Sequence, residues 1–407
     1  MNVVIVGAGV AGLGIGWKLA KAGAKVTILE RAQAGSGATT ASAGMIAAAA
    51  ELDHADAPEA VFAKHANDLW PSFVVELEAQ SGISVDYRKN GSLMVALKSE
   101  QSRQHQAHGG EHPGASGDQS NPHAQGSDIA MLTAEQARAM EPMLTADIAG
   151  ALWAPHEAQI DTHALVRALA AAFVKAGGKI LPNETAVRVE IEGGRAVGAR
   201  TPFTLHRADA YVLAAGAWTS RVEGLPPEAV PPVIPIKGEI VVLTPPPGAE
   251  LPKHVVWGNE IYVVPRCGRL LVGATAERAG FDTGKSAQAY RWLLRQSAGL
   301  MPALEGWEVA EHWVGLRPAT PDGLPILGPT VVEGLYVASG QYRNGILFAP
   351  AVAEVMSRLV LKQDMEMPVF DPRRFDGTKP YATDFVIETA HRASGKDSGS
   401  QEWHTGF

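Results

Sequence analysis

The sequence has one cysteine, few charges and no long hydrophobic run, and each shortage excludes a class of protein. Cys267 is the only cysteine in 407 residues, so an intrachain disulfide is impossible and the composition fits a reducing cytoplasm. No run of about 20 apolar residues occurs, which argues against a membrane-spanning helix. The formal net charge of −8 gives no broad attraction for nucleic acid or anionic membranes. We therefore expect a cytoplasmic protein without nucleic-acid or membrane partners.

What the sequence does contain is typical of a globular enzyme with two domains. Apolar residues make up 46% of the chain and charged residues 19%. A chain of 407 residues can bury a large core and is long enough for more than one domain. The first strand-like run begins at residue 3, so we expect no signal peptide or transit segment ahead of it.

The N-terminal segment reads as a strand, a glycine-rich turn and a helix. Residues 3–6 are apolar and are followed at once by GAGVAG at residues 7–12. A helix-like stretch then leads to residues 25–29, which read as a second buried strand and are followed by Glu30. A G-x-G-x-x-G turn in this context, with an acidic residue about 20 positions later, is the dinucleotide-binding fingerprint. A glycine-rich turn of some other α/β protein is the alternative.

Each part of this fingerprint has a physical role. Gly7 permits the tight turn, Gly9 lets the backbone approach a pyrophosphate, and Gly12 lets the helix lie close to the strand. The helix N-terminus offers unpaired N–H groups and the positive end of its dipole to the phosphates. Glu30 is placed to accept hydrogen bonds from ribose hydroxyls. The sequence therefore predicts a dinucleotide site.

A loop of small residues favours FAD over NAD. Residues 35–45 (GSGATTASAGM) directly follow the segment that contains Glu30 and Arg31. Small residues let a backbone press against a flat ring, and Thr39 and Thr40 can hydrogen-bond phosphate or ring edges. An NAD enzyme does not usually need this second contact loop, so we predict FAD. A plain surface loop is the alternative.

The strand and helix patterns predict an α/β fold with a discontinuous cofactor domain. Residues 1–50, 150–220 and 320–375 are assigned to a Rossmann-like FAD-binding domain. Residues 51–149 and 221–319 are assigned to an α+β substrate domain with an antiparallel sheet, because strand patterns dominate the second of these segments. The chain is therefore expected to cross between the domains several times.

Two polar stretches are expected to lack a fixed structure. Residues 99–128 have few large apolar side chains and are predicted to form a mobile loop, and the polar tail at residues 377–407 is predicted to fray. The loop contains histidines, which are common metal ligands, but no cysteine or acidic cluster accompanies them. We therefore predict no metal site. These histidines are His105, His108, His112 and His123.

More specific motifs lie near the C-terminus. Residues 313–328 read WVGLRPATPDGLPILG, and residues 340–347 read GQYRNGIL. Together with the N-terminal fingerprint, the loop at residues 35–45 and AAGAW at residues 214–218, they resemble the D-amino-acid oxidase (DAO) family of FAD enzymes over almost the whole chain. Within that family, the sequence is most similar to the glycine oxidase branch linked to thiamine biosynthesis, the ThiO-like enzymes.

The resemblance implies a set of site residues. Arg317 matches the arginine that grips the substrate carboxylate, a task suited to a planar guanidinium that stays charged. Tyr262 matches the tyrosine that hydrogen-bonds the same carboxylate, and Arg343 matches an arginine at the flavin and substrate. Val187 matches a residue whose backbone meets the adenine side, and residues 340–347 resemble the loop around the isoalloxazine. The implied cofactor-binding residues are Gly7, Gly9, Val10, Ala11, Gly12, Glu30, Arg31, Ala38, Thr39, Thr40, Ala43, Gly44, Met45, Val187, Ala215, Gly216, Arg317, Gly340, Arg343, Asn344, Gly345, Ile346 and Leu347.

Each of the three implied catalytic residues has an alternative, non-catalytic role. Arg317 is alternatively a structural ion-pair partner, Tyr262 a core residue on a strand, and Arg343 a phosphate ligand or a brace for its loop.

Three positions bear on how far the resemblance extends. Cys267 is outside the stretch where some relatives attach flavin, so non-covalent FAD is expected. Glu260 stands where some glycine oxidases carry histidine. Ala276 would leave room in the pocket for substrates larger than glycine.

The implied reaction is FAD-dependent oxidative deamination of glycine or another small primary or secondary amino acid. Hydride passes from the α-carbon to flavin N5, O₂ reoxidises the flavin to give H₂O₂, and the imine hydrolyses to a 2-oxo acid and ammonia or enters thiazole synthesis. The expected partners are thus the amino acid and O₂. A homotetramer is expected because relatives form one.

Three other functions stay open. The first is a D-amino-acid or glycine dehydrogenase that passes electrons to a quinone or a protein. The second is an oxidase acting on modified tRNA, although the net charge of −8 and the lack of a methyltransferase domain weigh against it. The third is a non-catalytic flavoprotein subunit.

Overall fold

The computed structural model describes residues 1–48, 57–98, 129–363, 365 and 367–375. The predicted loop at residues 99–128, its four histidines and the predicted tail at residues 377–407 lie outside the described residues.

The described residues form six α-helices and nineteen β-strands. The helices are α1 (Val10–Lys21), α2 (Pro58–Ser81), α3 (Ala134–Met140), α4 (Thr162–Lys175), α5 (Ala287–Leu300) and α6 (Ala349–Val360). The strands are β1 (Asn2–Val6), β2 (Lys25–Glu30), β3 (Met45–Ile46), β4 (Ser92–Leu97), β5 (Ala130–Thr133), β6 (Ile148–Ala154), β7 (Ala158–Gln159), β8 (Lys179–Pro182), β9 (Arg188–Glu192), β10 (Arg195–Arg200), β11 (Leu205–His206), β12 (Ala210–Leu213), β13 (Ile234–Thr244), β14 (Val255–Gly258), β15 (Ile261–Arg266), β16 (Arg269–Gly273), β17 (Glu308–Ala319), β18 (Ile326–Pro329) and β19 (Leu335–Ser339).

A six-stranded sheet in the order β18-β19-β12-β1-β2-β8 carries the N-terminal fingerprint. All of its pairs are parallel except β18 with β19. Successive side chains of a strand face opposite sides. Val3 and Ile5 of β1 accordingly pack with residues of α1, α4 and α6, whereas Val4 and Val6 pack with residues of β9, β10 and β12. Burial on both faces explains why β1 reads as a continuous apolar run.

An eight-stranded sheet in the order β17-β13-β16-β15-β14-β4-β6-β5 forms the second layer. Its pairs are antiparallel apart from β14 with β4. Val241 and Leu243 of β13 face a core shared with α5, and Ile240 and Val242 face Met45 and its neighbours. The second face of this sheet therefore turns towards the loop at residues 35–45.

Helix α2 packs with the six-stranded sheet. Phe62, Trp70 and Phe73 are buried in the same core as α1 and α4, and Trp70 Nε1 donates a hydrogen bond to the Leu347 carbonyl at 3.0 Å. The predicted boundary at residue 50 would instead place this helix in the substrate domain. The division of the chain into two domains stays a prediction.

Two elements begin or end differently from what the sequence pattern predicts. The pattern predicts a C-terminal helix that starts near Gly345, but α6 begins at Ala349, where Pro350 occupies a position in the first turn that suits proline. The apolar run at residues 210–218 predicts one strand, but β12 ends at Leu213. The backbone then turns at Gly216, with φ +54°, into a short 3₁₀ helix.

None of the described helices is long and apolar enough to cross a membrane.

Candidate functional site

A cavity of about 420 Å³ lies where the two sheets meet. The turns that follow β1, β2 and β12 line one part of it, and side chains from β13, β15 and β17 line another. The carboxyl ends of neighbouring parallel strands are where open α/β sheets bind ligands.

The turn after β1 leaves no space for a side chain at Gly7 or Gly12. Gly7 has φ +106°, and a Cβ there would lie 2.4 Å from the Ala214 carbonyl oxygen. A Cβ on Gly12 would lie 1.9 Å from the Gly7 carbonyl oxygen. The turn therefore presents bare backbone at the start of α1, which is the shape needed for close approach of a pyrophosphate.

Glu30 is bonded to the chain itself. Its Oε2 accepts a hydrogen bond from the Ala8 amide at 2.8 Å, and its Oε1 accepts one from the Ala32 amide at 3.0 Å. The side chain is buried and lines the cavity. A carboxylate has about four acceptor positions, so these two bonds leave capacity for ribose hydroxyls.

The loop at residues 35–45 is fastened to the start of α1. The Val10 amide donates to Thr39 Oγ1 at 3.1 Å, and Thr40 Oγ1 donates to the Gly35 carbonyl at 2.8 Å. Thr39 lines the cavity, whereas Thr40 uses its hydroxyl within the loop and lies outside the lining. The loop is thus held by its own threonines.

Arg317 and Tyr262 each lie over a glycine of a neighbouring strand. A Cβ on Gly238 of β13 would lie 2.2 Å from Nη1 of Arg317, and a Cβ on Gly273 of β16 would lie 2.6 Å from the Tyr262 hydroxyl. Both side chains line the cavity. The two glycines therefore allow an arginine from β17 and a tyrosine from β15 to extend across the sheet into one space.

A hydrogen bond to the segment after β16 holds the arginine side chain. Nη1 of Arg317 donates to the Thr275 carbonyl at 2.9 Å. Thr275 in turn bonds to Glu239, whose amide donates to Thr275 Oγ1 at 2.9 Å. The Glu239 carboxylate is fully buried and lies 2.7 Å from His312 Nε2. This polar network joins β13, β17 and the segment after β16, and it positions the guanidinium.

Replacing Gly238 with alanine should displace Arg317. The new Cβ would overlap the guanidinium, which must then leave its hydrogen bond to Thr275. We expect kcat/KM for a small amino acid to fall about tenfold or more, since a charged hydrogen bond is worth roughly 1.5–3 kcal/mol. Steady-state kinetics with FAD content and melting temperature as controls measure this effect. Unchanged kinetics in Gly238→Ala would show that Arg317 does not depend on the space above Gly238.

Arg31 and Trp218 lie at another part of the cavity. The Arg31 guanidinium lies 3.4 Å from the centre of the Trp218 ring, a cation–π contact. Burial lowers the pKa of Arg31, and the neighbouring Glu30 carboxylate partly opposes that shift. Val187 lines the same cavity. A basic group beside an aromatic face can contact both phosphate and a planar base.

Most of the predicted site residues come together in this cavity. Those lining it are Gly7, Gly9, Val10, Ala11, Glu30, Arg31, Ala38, Thr39, Ala43, Gly44, Met45, Val187, Ala215, Gly216, Tyr262, Arg317, Arg343, Gly345 and Ile346.

Five predicted residues do not line the cavity. Gly12 packs on Gly7, and Thr40 is used within its loop. Leu347 is buried in the core of the six-stranded sheet. The remaining two are Gly340, which contacts the Thr320 side chain, and Asn344, which donates to Glu59 Oε1 at 3.0 Å.

The positions that depart from the family pattern fall into two groups. Ala276 lines the cavity, as expected. Glu260 accepts a hydrogen bond from Gln296 Nε2 at 3.3 Å, and Cys267 is exposed, and both lie outside the lining. In the part of the chain that the structure describes, no group of three or more potential metal ligands is found.

Sequence reasoning missed several lining residues. Gly238, Ile240 and Trp257 line the cavity from the eight-stranded sheet. Only Gly238 left a signal in the sequence, because a glycine inside a strand pattern marks close approach of another group.

The residues present fit a dinucleotide. A glycine turn that a Cβ would fill, an acidic residue at the end of β2 and a loop of small residues line the same space as a guanidinium and a phenol. These are the groups that a pyrophosphate, a ribose, a flat ring and a carboxylate would each require.

Comparison with known proteins supports this interpretation. The family described as "DAO: FAD dependent oxidoreductase" matches residues 2–359. Glycine oxidase from Geobacillus kaustophilus is 35% identical over 366 residues, which cover 89% of this chain and 93% of that protein. Its crystal structure superimposes with a TM-score of 0.81 at 33% identity, covering 91% of this chain and 97% of that one.

A second kind of relative is longer. The bifunctional protein ThiO/ThiG from Trichormus variabilis is 34% identical over 367 residues, covering 89% of this chain but 53% of that protein. The chain thus spans about half the length of the bifunctional relatives it matches.

These similarities extend over nearly all of the chain and confirm the predicted fold class, a Rossmann-like domain combined with an α+β domain that contains an antiparallel sheet. Among the described strands of that sheet, only the pairing of β14 with β4 is parallel. They also confirm the resemblance drawn from the motifs at residues 313–328 and 340–347. The chain belongs to the DAO family of FAD-dependent oxidoreductases.

Proposed function

We propose that this chain oxidises glycine or another small amino acid, using FAD and O₂. The products would be H₂O₂ and an imine, which for a primary amino acid hydrolyses to a 2-oxo acid and ammonia. The observation that carries this proposal is the placement of Arg317 and Tyr262 over Gly238 and Gly273, in the cavity that the glycine turn also lines. The relatives named glycine oxidase support it.

FAD would be held along the turns of the six-stranded sheet. The bare backbone at Gly7 and Gly9 would receive the pyrophosphate, and Glu30 would accept the ribose hydroxyls. Ala43 and Met45 pack in the same cluster as Tyr262, so this end of the small-residue loop would face the flavin ring. When bound, FAD supplies a two-electron acceptor.

The substrate would be oriented by its carboxylate. Arg317 would grip both carboxylate oxygens, and the Tyr262 hydroxyl would donate a further hydrogen bond. Two fixed contacts orient the α-carbon, which is catalysis by positioning. No side chain needs to act as a base if the amine arrives neutral.

Space around the α-carbon would set the choice of substrate. Ala274 and Ala276 line the cavity together with Ile240. The two alanines contribute little bulk, so this part of the wall would admit a small side chain or an N-methyl group as well as glycine. We therefore propose sarcosine, D-alanine and D-proline as further substrates.

A panel of amino acids tests the proposed reaction. Purified protein should be yellow and should form H₂O₂ with glycine, sarcosine, D-alanine or D-proline in an oxidase-coupled peroxide assay. Flavin reduction under anaerobic conditions, followed by dye reduction without peroxide in air, would instead indicate a dehydrogenase. A flavin-free protein, or a flavoprotein reduced by none of these amino acids, would contradict the proposal.

Two finer features are proposed from the relatives. A role in thiamine biosynthesis follows from similarity to the ThiO half of proteins named ThiO/ThiG. Rescue of a strain that lacks its own glycine oxidase, grown without thiamine, tests it. The homotetramer stays a prediction, and light scattering of the holoenzyme measures it.

A further inference from the structure

Arg266 is a buried cation that the proposed reaction does not use. It ends β15, is 7% exposed and occupies the same face of the strand as Tyr262, four residues earlier. Its Nη2 donates a hydrogen bond to the Ala43 carbonyl. A single strand of the eight-stranded sheet therefore carries one side chain into the cavity and another onto the loop at residues 35–45.

The turn at Ala43 and Gly44 is packed closely against Arg266 and Ile160. Gly44 has φ +71°, and a Cβ there would lie 2.9 Å from Nη2 of Arg266 and 2.2 Å from the Ile160 carbonyl oxygen. The Ile160 amide donates to the Gly44 carbonyl at 2.9 Å. Arg266 thus supports one peptide of the turn, and Ile160 supports the next.

This turn forms part of the cavity wall on the substrate side. Ala43, Gly44 and Met45 line the cavity. Ala43 and Met45 also share a hydrophobic cluster with Tyr262. Glu30 and Thr39 hold other parts of the lining through their own hydrogen bonds. Loss of the Arg266 contact would therefore disturb the substrate side of the cavity while leaving the glycine turn intact.

Burying this guanidinium is costly. Burial lowers the pKa of Arg266 to about 10, and the nearby carboxylates of Asp161 and Asp86 counteract part of that shift. A buried charge is tolerated only where partners compensate for its lost hydration. An apolar residue would avoid this cost but could not donate to the Ala43 carbonyl.

We propose that Arg266 is a positioning residue for the flavin ring, because it holds the turn at Ala43 and Gly44 against the substrate strand. This inference rests on the proposed position of the ring beside that turn. The inference assigns different residues to the two halves of FAD. Glu30 and the glycine turn would recognise the ADP half, whereas Arg266 would act only on the half that contains the ring.

The experiment compares the affinities of FAD and ADP for the apoprotein. Arg266→Met removes the donor and keeps most of the apolar volume, and Arg266→Lys keeps the charge. Arg269→Met is the matched control, because Arg269 lies opposite Arg266 in the β15–β16 hairpin and forms an exposed ion pair with Glu311. Kd values are measured by calorimetry at a temperature where each apoprotein is folded, as judged by circular dichroism.

We expect Arg266→Met to weaken FAD binding about tenfold or more, equivalent to 1.4 kcal/mol, while the Kd of ADP stays within about twofold. Arg266→Lys should recover part of the FAD affinity, and Arg269→Met should match the wild type. FAD affinity unchanged in Arg266→Met, or FAD and ADP affinities lowered equally, would overturn the inference. If Arg266→Met does not fold, the Kd values of FAD and ADP are compared in Arg266→Lys. A larger loss of affinity for FAD than for ADP would support the inference, and equal losses would overturn it.

Failure of this inference is distinct from failure of the proposed function. The wild-type peroxide assay tests the reaction without reference to Arg266. A wild-type oxidase whose Arg266 variants bind FAD normally would reject only the positioning role.

Discussion

Replacing Arg317 with alanine is expected to lower kcat/KM for glycine by about 100- to 1,000-fold. Truncating one partner of a buried charged pair costs roughly 2–5 kcal/mol, and here the substrate carboxylate would lose its counter-ion. The anchoring interaction is made before and during the reaction, so we expect most of the loss as a raised KM. Steady-state peroxide assays on flavin-loaded enzyme measure both constants.

Two variants control for effects unrelated to the carboxylate. Arg317→Lys keeps the charge but loses the planar fork, so its loss of kcat/KM should be smaller than that of the alanine variant. Arg291→Ala removes an exposed arginine from α5 and should behave as the wild type. Unchanged kinetics in Arg317→Ala would exclude carboxylate binding by this residue and would show that another group anchors the substrate.

Replacing Gly12 with alanine should abolish FAD binding. The new Cβ would lie 1.9 Å from the Gly7 carbonyl oxygen, and both groups belong to backbone that cannot move aside. Relief requires α1 to shift away from β1, which removes the N–H groups offered to the pyrophosphate. We expect purified protein with less than about a tenth of the wild-type FAD content, a loss of at least 1.4 kcal/mol in binding.

Gly14→Ala is the matched control for this prediction. Gly14 lies on the same helix but outside the cavity lining, and its Cβ would lie 3.2 Å from the Ala353 side chain rather than against backbone, so the variant should be yellow. The ratio of flavin to protein absorbance measures cofactor content, and circular dichroism shows whether colourless Gly12→Ala protein has folded. A folded Gly12→Ala protein with a wild-type flavin ratio would refute the proposed pyrophosphate site.

The cofactor half of the site was predictable because its signals are local. The glycines at residues 7–12 and the acid at Glu30 are set by one strand, one turn and one helix. The structure places them as expected, with Gly12 packed on Gly7. Thr40 was predicted to contact the cofactor, and this stays a prediction, because its hydroxyl donates to the Gly35 carbonyl in the structure. A hydroxyl has several possible partners within a loop, and sequence spacing does not rank them.

The substrate half depends on strand register, which the sequence alone does not specify. Arg317 and Tyr262 were found through a family resemblance, while the glycines beneath them lie 79 and 11 residues away in the chain. The pairing of β13 with β17 places Gly238 beneath Arg317, and the pairing of β15 with β16 places Gly273 beneath Tyr262. The packing of α2 depends on tertiary structure in a similar way, since its periodicity shows which face is apolar but not which core that face meets.

The order of strands in the six-stranded sheet has a consequence for biosynthesis. Val3 of β1 lies opposite Ala210 of β12, and Tyr211 lies opposite Leu335 of β19. At about 5–20 residues per second, a ribosome needs roughly 10–40 s to make the 200 or so residues that separate β1 from β12. The edge of β1 that pairs with β12 therefore stays unpaired until β12 has been synthesised. Ile346, which lines the cavity, is synthesised later still. Cofactor capture is accordingly a late event in the maturation of this chain, and a nascent protein stalled before β19 should not retain flavin.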